Sequence, residues 1–127
     1  MTFETDLKAH LQADATIVAL VADRIFPQIV PEGEAMPALT YTLAFGAPQN
    51  SLDGFTSDTT RYVVQLDCWG LTHEARMNLA IAVRNRLGTT ASTIKQIVVT
   101  EFPIFDDYEP DTKRFRRAIQ IAAWHTE

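Results

Sequence analysis

Three serines, three histidines and one cysteine are the side chains from which this sequence could build a nucleophilic site. A Ser-His-Asp hydrolase needs its serine on a sharp turn with a base at hydrogen-bond distance. Ser51, Ser57 and Ser92 read as loop or helix-to-strand positions, and none lies in a G-x-S-x-G elbow. His10, His73 and His125 are dispersed, reading as an exposed helix face, the first turn of a helix and a fraying terminus. Cys68 alternates with Leu66 and Val64, which fits a small core hydrophobe better than a thiolate nucleophile. The His and Asp spacings form no short metal-ligand pattern, and there is neither a P-loop nor a G-x-G-x-x-G phosphate cradle. The reading is therefore of a non-enzyme with no catalytic, metal or cofactor-binding residues and no cofactor.

One cluster could bind rather than react. Lys113, Arg114, Arg116 and Arg117 interleave with Phe115, an arrangement also met in nucleic-acid patches. Asp106, Asp107, Glu109 and Asp111 lie just upstream. A hairpin turning at Glu109-Pro110-Asp111-Thr112 places the two signs across from each other, with Asp107 opposite Arg114. That pairing stabilises a hairpin, and a charged tip can also reach a neighbouring subunit.

The elements that hold this cluster follow from periodicity. Phe3, Leu7 and Leu11 form one face of a helix over 3–12 with Thr2 as its cap. Asp14 caps a second helix over 15–22, and Pro27 and Pro31 end that pattern. Alternation over 38–46 and over 60–69 predicts two half-buried strands. Between them Gly46–Thr60 reads as a long loop displaying Leu52, Asp53 and Phe55, poised for a partner or folded over its own sheet. A longer helix over 72–87 carries Ala75, Leu79, Ala82, Val83 and Leu87, and Gly88 stops it. Strands over 95–106 and 113–125 close the chain as a hairpin that pairs Phe102 with Ile119, Thr100 with Ile121 and Val98 with Ala123. The expected fold is α+β: an antiparallel sheet of about four main strands, two short N-terminal helices and one longer helix.

The 127 residues read as one domain over 1–127, long enough to fold without a staple. Hydrophobic residues at 46% and charged residues at 21% are ordinary for a globular chain. Eleven Lys and Arg against 16 Asp and Glu leave a net charge of −5, a poor basis for general nucleic-acid binding. The single cysteine excludes an intramolecular disulfide and fits synthesis in a reducing cytoplasm. The acidic start Met1-Thr2-Phe3-Glu4-Thr5-Asp6 is no signal peptide, and no apolar run nears the ~20 residues of a membrane span.

An ordered set of short motifs adds a family. Asp23-Arg24-Ile25-Phe26-Pro27, Pro37 and Tyr41, Val64-Gln65-Leu66-Asp67-Cys68-Trp69, then Ala82-Val83 and Leu87 resemble the tail-terminator or tail-completion proteins of long-tailed phages and related gene-transfer agents. The match spans roughly Leu20 to Leu87. It implies a structural virion protein at the head-proximal end of the tail, a homo-oligomeric ring usually of six subunits. Its implied partners are the tail tube protein and the head connector or head-closure protein, with DNA passing through the lumen without specific binding. The family brings no catalytic residues, and the expected partner contacts rest on physical grounds: Leu52, Asp53, Phe55, Asp107, Tyr108, Arg114 and Arg116. Two alternatives stay open, a small ligand-binding module or enzyme with a pocket between sheet and helices, and a neighbouring head-closure protein.

Overall fold

The computed structural model describes residues 2–50, 56–89 and 93–126. In chain order they form α1 (Phe3–Gln12), α2 (Ala15–Val21), β1 (Ile25–Pro27), β2 (Ala38–Asn50), β3 (Thr56–Gly70), α3 (His73–Leu87), β4 (Ile94–Glu109) and β5 (Arg114–Thr126). The helices start where side chains satisfy their first amides. The Thr5 amide donates to Thr2 Oγ1 at 3.2 Å, and the Thr16 and Ile17 amides donate to Asp14 Oδ1 at 2.9 and 3.1 Å. The Ala75 amide does the same to Thr72 Oγ1 at 3.0 Å.

The five strands make one sheet in the order β1-β2-β3-β5-β4. It is mixed, because β1 runs parallel to β2, pairing Ile25, Phe26 and Pro27 with Leu39, Thr40 and Tyr41. The expected four-strand antiparallel sheet is corrected here: Ile25-Phe26-Pro27 is too short for a strand period and lies where the prolines end the helical pattern. Arg24 makes that strand possible. Its guanidinium donates to the Pro37 carbonyl (3.0 Å) and the Leu20 carbonyl (3.3 Å), while its own carbonyl accepts from the Leu39 amide (3.0 Å).

The expected loop over Gly46–Thr60 is also overturned. Strand β2 continues to Asn50 and β3 begins at Thr56, so most of that stretch is hairpin ladder with irregularities at Leu43/Phe45 and Pro48/Asn50. Cross-strand pairing there outweighs the local turn propensity of Gly46, Pro48 and Asn50. Leu52, Asp53 and Phe55 lie outside the described residues, as do Ser51 and Ser92. Ser57 belongs to β3 rather than to a loop.

One face of the sheet receives the helices. Leu39, Tyr41, Val64, Leu66, Cys68, Ile119, Ile121 and Ala123 pack there against Phe3, Leu7, Leu11, Ile17, Leu79, Val83 and Leu87. Helix α3 comes close to the sheet at Gly70, where a Cβ would stand 2.8 Å from the Arg76 amide nitrogen and 2.9 Å from the Ala75 Cβ. No side chain fits that gap, so Gly70 sets how closely the helix enters against β3.

Candidate functional site: the charged hairpin of β4 and β5

The hairpin turns through four residues, Pro110 to Lys113, and closes on the pair Glu109↔Arg114. Lys113 has φ 55°, which completes the reversal. This is one residue beyond the expected turn Glu109–Thr112. The register is corrected with it: Asp107 faces Arg116, not Arg114, and Asp106 faces Arg117. Further down, Glu101 faces Gln120, Val98 faces Ala122 rather than Ala123, Val99 rather than Thr100 faces Ile121, and Phe105 stands opposite Ala118. The longer turn sets the pairings from Glu109 to Phe105, and the irregularity at Glu101/Phe105 cancels its offset. The one at Val99/Glu101 moves Val99 and Val98 by one residue, since each irregularity inserts residues on β4 only. An alternation-based pairing cannot see such insertions.

This geometry puts two fork-to-fork ion pairs on opposite faces of one ribbon. Arg116 Nε and Nη2 donate to Asp107 Oδ1 and Oδ2 at 3.0 and 2.6 Å. Arg117 Nε and Nη2 donate to Asp106 Oδ1 and Oδ2 at 2.8 Å each. Bidentate pairs of this kind fix orientation as well as charge. The Asp106 carboxyl is held below its ordinary range, chiefly by the Arg117 hydrogen bonds.

Arg76 from the first turns of α3 locks the hairpin to the body. Its Nη1 donates to the carbonyls of Asp107 (3.0 Å) and Arg116 (3.1 Å), and Nη2 lies 3.8 Å from Asp106 Oδ2. Its Nε donates to His73 Nδ1 at 3.0 Å, so His73 serves as a hydrogen-bond partner of Arg76. Guanidiniums also lie on rings: Arg116 over Trp69 (5.2 Å) and Phe105 (4.8 Å), Arg117 over Phe102 (5.5 Å), and Arg76 over Phe115 (5.3 Å). Arg76, the anchor of this assembly, escaped the sequence reading, because its spacing on a helix carries no sign of where the hairpin docks.

Of the residues named from sequence, the structure brings Asp107, Tyr108, Arg114 and Arg116 together at this tip. Tyr108 is 45% exposed and tilts on Phe115 at 4.7 Å. Arg114 and Arg116 line a shallow groove of about 290 Å³ with Gln28, Ile29, Val30, Trp69 and Glu109. Ile29 projects beside it, following Gln28 at φ 65°.

Among the described residues, the groove is lined by no histidine, cysteine or serine. Asp67, on the sheet beside Cys68 and Trp69, has its pKa raised by desolvation. It accepts from Gln65 Nε2 at 2.9 Å and more loosely from Thr40 Oγ1 at 3.5 Å, and it is not among the groove's lining residues. Trp69 Nε1 donates to the same Thr40 hydroxyl at 3.1 Å, which fixes the indole wall of the groove.

His10 and His125 stand elsewhere, and both are corrected. His10 is buried, with Nε2 3.1 Å from Thr89 Oγ1; burial and the nearby Arg86 lower its pKa. His125 is fully buried rather than frayed: its Nε2 lies 2.7 Å from Asp6 Oδ2, which also accepts from Thr93 Oγ1 at 2.8 Å. Both corrections have one cause. A polar residue on a short helix or at a strand end is buried or exposed according to which element packs beside it. Cys68 behaves as expected, fully buried with its thiol pKa pushed far up by desolvation. Among the described residues no group of three or more His, Cys, Asp and Glu side chains could hold a metal ion, and no helix is long and apolar enough to cross a membrane.

Comparison with known proteins agrees with this architecture. The family model of the tail completion protein gp17 matches residues 5–126. No curated protein matches at the sequence level. Twenty-six chains of solved structures match, among them a chain of the virion of a native gene transfer agent particle. That similarity has a TM-score of 0.67 at 16% identity and covers 95% of each chain, so it establishes the shared fold. The family match reaches through both helical and hairpin halves, including the C-terminal strands that the short motifs left out. The chain belongs to the tail completion protein gp17 family, structural components of phage-type virions.

Proposed function

We propose that this protein forms a ring, of six copies, that caps the tail tube and joins it to the head connector. The family match over 5–126 carries the reading. The hairpin tip supports it physically. A closed ring needs unlike patches that meet between neighbours. Tyr108 and Arg114 stand at the end of a rib whose shape is already held by two bidentate ion pairs and Arg76. A preformed contact of that kind loses little conformational entropy on binding. Leu52, Asp53 and Phe55, between β2 and β3, are proposed as the second contact element. DNA passes the lumen without specific binding, in keeping with the net charge of −5 and with Arg76, Arg116 and Arg117 already engaged by carboxylates.

The test is electron microscopy of particles that carry Tyr108→Ala with Arg114→Glu, or Leu52→Asp with Phe55→Asp. The expected result is folded protein, tails and heads made separately, and few joined particles. Normal joining in both variants would remove these contacts from the mechanism. A single copy at the head-proximal end of wild-type tails would remove the ring.

A further inference from the structure

We propose that subunits join edge to edge: the outer edge of β2 at residues 42–50 pairs with strand β4 of a second copy, so that the sheet of one subunit runs into the next. This rests on the ring reading above and names its interface.

The sheet has two unlike ends. At one end β1 covers β2 only at Leu39, Thr40 and Tyr41. Beyond Tyr41, among the described residues, β2 is paired on its inner side by β3 and by no strand on its outer side. Residues 42–50 hold no charged side chain. An uncovered strand edge is a template for another strand, and proteins that must avoid pairing usually protect it with lysines, inward charges or a covering segment. Against pairing, this edge carries Pro48 and the ladder irregularities at Leu43/Phe45 and Pro48/Asn50, but no charge.

At the other end lies β4, which pairs with β5 alone. Its middle is interrupted between Glu101 and Phe105, where Pro103 also lacks an amide donor. The stretches 94–99 and 105–109 on either side keep a strand ladder. Both strands carry exposed apolar side chains. Val98, Ile104, Phe105 and Tyr108 are on β4 and Leu43 is on β2, each 37–45% exposed.

The occupant is a second copy because the two edges differ. Pairing β2 with β2 would be isologous and would stop at two subunits, whereas pairing β2 with β4 repeats head to tail and can close a ring. The uncharged β2 edge also sets no like charge against Lys95 or Glu101 of β4. Main-chain hydrogen bonds supply the affinity in such strand addition, and flanking side chains supply the register.

Amide hydrogen exchange on the full chain tests this, comparing free subunits with the same protein in assembled tails. Assembly is expected to slow exchange on the order of tenfold or more at both 42–50 and 94–99, because new ladder bonds must open first. Ala44→Lys and Val98→Lys, each at an exposed site, are expected to keep the monomer circular dichroism spectrum and to lower the ringed fraction on the order of tenfold. Rings whose two edges exchange at the monomer rate, or lysine variants that assemble like the wild type, overturn the edge pairing and leave the ring reading standing. Tails without any ring overturn both.

Discussion

At opposite ends of β5 stand two kinds of acid–base contact. Near its C-terminal end, His125 and Asp6 meet at 2.7 Å in the interior, with Thr93 as a second donor to the carboxylate. Phe3 packs edge-on to the His125 ring at 5.5 Å and stacks on Tyr62 at 4.3 Å, so α1 is tied to the sheet from both sides. Near the N-terminal end, Arg116 and Arg117 grip Asp107 and Asp106 in better geometry, but on a ribbon reached by solvent. Water and salt screen the second pair of contacts and leave the first almost untouched. The inner contact therefore belongs to the fold, while the outer ones shape a surface that can be changed with little cost to folding.

The largest expected effect comes from attacking the inner contact. His125→Ala removes a fully buried ring, its bond to Asp6 and its packing on Phe3, and should cost about 3 kcal/mol in urea unfolding. A loss no greater than that of an exposed substitution would erase the contrast between the two ends. Cys68→Ala probes the core beneath the outer contacts, since Cys68 lies opposite Arg117 in the register. It should cost on the order of 1 kcal/mol and leave particle assembly intact.

At the outer end, a double-mutant cycle of Asp107→Ala and Arg116→Ala should give a coupling below about 1 kcal/mol. That coupling should shrink in high salt. A coupling several times larger, insensitive to salt, would make the hairpin a pillar of the fold.

Acid titration sharpens the comparison further. Hydrogen bonds from His125 and Thr93 hold the Asp6 carboxyl below its ordinary value of 3.8. A carboxyl depressed in the folded state contributes stability above the unfolded value and loses it as pH falls toward the folded one. The advantage of wild type over Asp6→Asn should therefore be full at neutral pH and decline below about pH 4. Asp67 has the opposite sign, because burial raises its pKa. Its charge opposes folding at neutral pH and the opposition fades on acidification. Asp67→Asn should thus unfold at slightly higher urea than wild type at pH 7, with the gap closing as pH falls; a gap that widens would reverse the assignment.

Most elements were legible from local pattern. The faces of α1 and α3, the caps Thr2 and Asp14, and the cores of β2 and β3 each follow from short-range spacing. The hairpin tip was legible as a mixture of charges but not as a set of partners. Asp107 binds Arg116 and not Arg114 because the turn runs through Pro110 to Lys113 and closes on Glu109↔Arg114, two positions further along β5 than a turn closing on Thr112 would give.

The amino-acid sequence by itself determined where the helices begin and which residues face the core, because caps and periodicity act within a few neighbours along the chain. It also determined that oppositely charged runs would lie together across one turn. Tertiary structure alone decided that Ile25-Phe26-Pro27 is a strand, since three residues become one only against β2 with Arg24 bridging to Pro37. It decided the extension of the β2–β3 ladder to Asn50 and Thr56, where pairing overrides turn-forming residues. It decided that His125 is interior, because the Asp6 carboxylate waiting for it lies 119 residues away in sequence. Contacts of that span depend on how whole elements dock, and no local pattern records them.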